Sequence, residues 1–202
     1  MSEGDDDQGV LGEWPSIKIE EFRHSVIRHA YENALTAAAR LAAFAYCKPT
    51  LGNGGLLNER QEQLAADDLI SFALSARRLI ENTSGKDRFN GVEIQCVVGG
   101  KQRHLPIWSV IGIIVHHRKI EITRTVLDFM LKAGQFNWQR DLHMLQESPY
   151  KDHFPPAVYV KSDRPDAVLF RLGDMVAAFE DKILQPIVDV CAEHQLFLED
   201  LP

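Results

Sequence analysis

The run His116-His117-Arg118-Lys119 is the densest group of side chains in this 202-residue chain that could bind or transform an anion. Two imidazoles beside two cations suit a phosphate or other anion, with one histidine as general acid or base. Neighbouring residues on a helix point about 100° apart, so His116 and His117 cannot clasp one metal ion unaided. A plainer reading competes and is preferred: cations at the end of a helix complement the negative pole of its dipole. His143 and Glu147 have the i, i+4 spacing of two ligands on one helix face, with His153 further on, but no HExxH pattern accompanies them. No metal site and no cofactor are expected. Gly52-Asn53-Gly54-Gly55 lacks the lysine of a phosphate-binding loop, and there is no GxSxG elbow. The aromatics fall mostly in apolar stripes, which does not suit a face for stacking single-stranded nucleic acid.

The cluster closes the stretch from Pro106 to Ile122, PIWSVIGIIVHHRKIEI, which holds the longest uncharged apolar run. Its β-branched residues favour a strand, yet the run is long for one strand, and length arbitrates. The sequence therefore predicts a buried helix over Pro106–His117, with Pro106 at the first helical position, leading into a strand over Lys119–Ile122. Gly112 falls inside that helix, where close approach of a neighbouring helix is the expected reason for it.

Upstream, Phe22, Val26, Ala30, Ala34, Ala37, Ala38, Leu41 and Ala45 recur at helical spacing and predict a helix over Ile17–Tyr46. A Gly-rich breaker separates it from a second helix, Asn58–Asn82, whose seam is Ala65, Leu69, Phe72, Ala76 and Leu79. Arg77 and Glu81 stand one turn apart on it. The short connection predicts an antiparallel pair, and the 106–117 run is the element expected to cover its apolar stripe. Val92–Val98 and Lys101–Leu105 read as a hairpin around Gly99-Gly100, to which Lys119–Ile122 is expected to add a third strand. Thr123–Lys132 reads as a helix, Trp138–Gln146 as a short one, and Val158–Val160 with Val168–Phe170 as a second hairpin. A final helix over Asp174–His194 contains Pro186, where a kink or break is expected. The fold class is thus mainly helical α+β: a long antiparallel helix pair, a buried central helix and two small β-hairpins. Residues 1–14, acidic and poor in large apolar groups, read as a disordered tail, and 15–202 as one globular domain.

The net charge of −7 is segregated. Residues 1–21 carry seven acids against Lys18, and 174–202 seven acids against Lys182, while 77–124 carry nine bases against four acids. A basic centre between acidic ends suits either an anion-binding surface or acidic segments lying against the basic one; the acidic total favours the second. The N-terminus is unlike a signal peptide, and no apolar run is long enough to cross a bilayer. Cys47, Cys96 and Cys191 are odd in number and widely spaced, which suits packed, reduced thiols in a cytoplasmic protein.

A long helical hairpin followed by further helices resembles the HEPN family of helical domains. Many members are metal-independent ribonucleases acting as dimers, and their active motif is Arg, four to six residues, then His. Here Arg23-His24-Ser25-Val26-Ile27-Arg28-His29 matches it. The resemblance implies Arg23 and His29 as catalytic residues and RNA as a partner. The residues themselves read first as a cytosolic interaction or regulatory module that self-associates, taking a second copy or another protein as partner. A HEPN-like ribonuclease or RNA-binding protein is the alternative. Beside Arg23 and His29, the candidate anion-binding set is His116, His117, Arg118 and Lys119.

Overall fold

A computed structural model describes residues 21–46, 56–83, 89, 91–124, 126–132, 134, 155–163 and 165–193. The tail over 1–14, the expected helix at Trp138–Gln146, and His143, Glu147 and His153 lie outside the described residues.

Two long helices, α1 (Glu21–Tyr46) and α2 (Leu56–Thr83), form the expected antiparallel pair. Every residue of the predicted α2 seam is buried, and so are Ala30, Ala34, Ala37, Ala38, Leu41 and Ala45 of α1. Among the described side chains Ile27 is the first buried on α1, whereas Val26 is only half-buried, and the side chain of Phe22 lies outside the described residues. Because so much of the shared face is alanine, the helix axes approach closely, and Arg40 reaches across to Asp68 at 3.2 Å.

The strands are β1 (Glu93–Val98), β2 (Lys101–Pro106), β3 (His117–Thr123), β4 (Ala157–Ser162) and β5 (Val168–Arg171). Gly99 and Gly100, at φ of 56° and 75°, form the two-residue turn between β1 and β2. The two hairpins do not stand apart. β1 pairs antiparallel with β5, and one five-stranded sheet results in the order β2-β1-β5-β4-β3. Each hairpin runs straight into a helix without a loop: β2 into α3 (Ile107–Val115) and β5 into α5 (Leu172–Phe179). The sheet is thus two ββα units side by side, with β3 added at one end.

The Lys119–Ile122 strand does not join the first hairpin as expected. β3 pairs with β4, at the edge opposite β2. The reason is α3. Nine residues of helix span about 13 Å, and they carry the chain over the sheet instead of folding it back beside β2. The helix itself is where the sequence placed it, two residues shorter at the C-terminal end, and Ile107, Val110, Ile111, Ile113 and Ile114 are buried. Pro106 is the last residue of β2, in extended conformation at φ −54° and ψ 136°, not the first helical residue. α3 packs on α2 and the sheet, while α5 covers α1, so the two helices divide the task expected of one. Phe179 of α5 meets Phe72 of α2 edge to face, 4.7 Å between ring centroids.

After α5 the helix widens into a π-turn over Glu180–Leu184 and then continues as α6 (Gln185–Glu193). This is the interruption expected from Pro186, whose missing N–H and bulky ring disturb the turn before it. α4 (Val126–Lys132) lies on the other face of the sheet, where Phe129 packs on Val97, Ala157 and Leu169. Cys96 is buried and its thiol is pushed up to about 12 by burial, which makes it inert. No described helix is long and apolar enough to cross a membrane.

Gly112 does not mark a close helix approach. A β-carbon built there meets nothing within 4 Å, and its φ is not positive. Gly112→Ala is therefore expected to stabilise the protein by about 0.5–1 kcal/mol through helix propensity, measured by urea denaturation. In the same assay Phe179→Ala should cost about 3–5 kcal/mol, the penalty of emptying a large buried site.

Candidate interaction site around the α3–β3 turn

The four residues His116 to Lys119 leave α3 in a turn and divide between two places. His116, the C-cap, bonds back through its backbone N–H to Gly112 O at 3.1 Å. Its ring Nε2 lies 3.2 Å from Nη1 of Arg77 on α2. A guanidinium has only donors, so that nitrogen is the acceptor. His117 turns the other way. Its Nδ1 is 2.8 Å from Ile114 O and donates to that carbonyl, satisfying one of the groups left open at the helix end. Arg118 is bulged out of the β3–β4 ladder, at the register shift between His117 and Lys119, and pairs with Asp163. Lys119 lies 2.7 Å from Glu121 on its own strand.

His117, Arg118 and Lys119 line a groove of about 640 Å³ with Ile120, Glu121 and Ile122. Side chains of a strand alternate between faces. Six successive residues can share one groove only if it runs along the hydrogen-bonding edge, and β3 is the last of the described strands in the sheet. The opposite wall is α2, from Glu62 to Ile70. At the far end, Lys132 of α4 reaches Glu121 at 3.2 Å. The hydrogen bond from Lys119 holds the Glu121 carboxyl below the usual glutamate range; partial burial opposes this, and Lys132 adds to the lowering. Beyond Ile122, Arg124 donates to Phe44 O at 2.9 Å and stacks on the Phe44 ring, tying the end of β3 to the last turn of α1.

The basic centre does not form one open face. Lys101 and Arg103 lie on β2, and Arg118 and Lys119 on β3, at opposite edges of the sheet. Four strand spacings, about 19 Å, separate them. His29 is exposed on α1, with Nδ1 4.0 Å from Glu32, and the side chain of Arg23 lies outside the described residues. Among the described residues no group of three or more His, Cys, Asp or Glu side chains could hold a metal ion. Two partners in this region escaped sequence reasoning, Arg77 and the β3 edge itself. The Arg77–Glu81 pair was legible from spacing and is present at 3.0 Å, but nothing in the sequence joins position 77 to position 116. No family model, curated protein or solved structure matches this chain.

Because its folded pKa is lowered, Glu121 contributes its ion pairs fully above the ordinary glutamate value of about 4.3, and loses them as pH falls through the lower folded value. Glu121→Gln is expected to flatten the acid limb of the thermal midpoint against pH below about pH 5. The gap at neutral pH should be no more than about 1 kcal/mol, since the pair is partly solvated.

Proposed function

We propose that this chain is a cytosolic interaction module that self-associates, two copies joining along β3. The observation that carries the reading is the edge of β3, which no other described strand pairs and along which a groove runs, with its own charge pattern, Lys119-Ile120-Glu121. A twofold interface places each surface against itself. When β3 meets its copy antiparallel about Ile120, Lys119 of each strand stands opposite Glu121 of the other, and Ile120 meets Ile120. Opposite charges directly across a strand pair are stabilising, and like charges there are not. The bulge at Arg118 ends the regular edge on one side, which limits the register to this stretch. The alanine stripes of α1 and α2 are buried inside the fold and cannot join two copies, so the strand edge takes that part.

The HEPN-like ribonuclease reading rests on Arg23 and His29 and requires metal-independent RNA cleavage that is lost in His29→Ala. For the self-association reading, sedimentation equilibrium is the measurement. The protein should show a concentration-dependent dimer. Lys119→Glu and Glu121→Lys should each weaken it by about tenfold, as two attractive pairs become repulsive, and the double swap should restore it. A chain that stays monomeric at high concentration, or a dimer indifferent to both single swaps, would remove the reading.

A further inference from the structure

The cavity that receives His116 is separate from the β3 groove. It measures about 340 Å³ and is walled by Arg77 of α2, by Trp108 and Gly112 of α3, by His116 at the C-cap of α3, and by Asp163 after β4. Two observations single it out. The first is Gly112, which neither packing nor backbone conformation requires, since a β-carbon there would meet nothing within 4 Å. The place where its side chain would stand is the open floor of the cavity. The second is Arg77, whose guanidinium is fixed on three sides. Its Nε donates to Glu81 at 3.0 Å, its Nη1 donates to His116 Nε2 at 3.2 Å, and its centre lies 5.5 Å from the Trp108 ring centroid. Nη2 has no partner among the described residues. A guanidinium held in one orientation with N–H groups to spare is preorganised for a carboxylate or phosphate. Trp108, Ile113 and the bare backbone of Gly112 supply the apolar walls that seat a ring.

We infer that this cavity binds a small flat molecule carrying one anionic group, the anion on Arg77 and the ring against Trp108 and Gly112. Arg77 is the one lysine or arginine among the lining residues, which sets the limit of one such group. The Asp163 carboxylate on the rim is paired with Arg118, and both side chains are 72% exposed, so this screened pair adds no second anion site. The inference does not rest on the pairing of copies along β3.

Calorimetric titration of the full chain with indole-3-acetate and with adenosine monophosphate tests it, the first offering a carboxylate and the second a phosphate. Indole-3-acetamide and adenosine serve as neutral counterparts. At least one anion should bind, with its neutral counterpart about tenfold weaker or more. Arg77→Gln should weaken binding by about tenfold or more, as expected for a lost charged hydrogen bond. Gly112→Ala should also weaken binding while raising the thermal midpoint, so that loss of binding cannot be put down to unfolding. Failure of both anions to bind, binding unchanged in both variants, or a lowered midpoint in Gly112→Ala would each overturn the inference.

Discussion

The fold turns on the burial of α3, a nine-residue helix with no charged side chain. Five of its aliphatic residues are out of water, a transfer worth on the order of 10 kcal/mol, comparable to the whole net stability of a typical domain. No single neighbour can cover so apolar a helix. α2 closes on one side and the sheet on the other, and the order of the remaining elements follows. β2 has to deliver the chain into α3 without a loop, with Ile107 N–H anchored on Val92 O at 2.7 Å. β3 has to leave at the far edge of the sheet.

That exit explains where the polar chemistry lies. A buried helix cannot keep charges along its length, so they collect where the chain regains solvent. His116 and His117 leave the same turn in different directions, one to Arg77 and the other to the carbonyl of Ile114. The α3–β3 turn thus stands between a cavity floored by Gly112 and a groove along the edge of β3. The two places share a turn but draw on different chemistry. The cavity offers a fixed cation and one aromatic wall, and the groove offers backbone groups and alternating charges.

Strand edges illustrate the difference between charge content and charge arrangement. β2 is the other outer strand and exposes Lys101, Gln102, Arg103 and His104, a cationic row of the kind that discourages pairing with another sheet. β3 carries opposite signs two residues apart, and Glu121 is gripped by two lysines. The positive sum over residues 77–124 therefore describes no single surface.

Much of the architecture was legible in the chain. Helical periodicity located the buried faces of α1 and α2 because side chains three and four apart must share a side of a helix. The alternation in β1 and the paired glycines specified the first hairpin, and Pro186 announced a disturbance in the last helix. These are local rules, decided by residues within a few positions of one another. The sequence alone settled that α3 is apolar and ends in cations, but not where those cations go. Tertiary packing decided that β3 lies beside β4, that the hairpins merge into one sheet, and that Gly112 faces a cavity instead of a neighbouring helix. Those outcomes depend on which surfaces remain uncovered once α3 is buried, and the meeting of Arg77 with His116 spans 39 positions, a separation that no local pattern encodes.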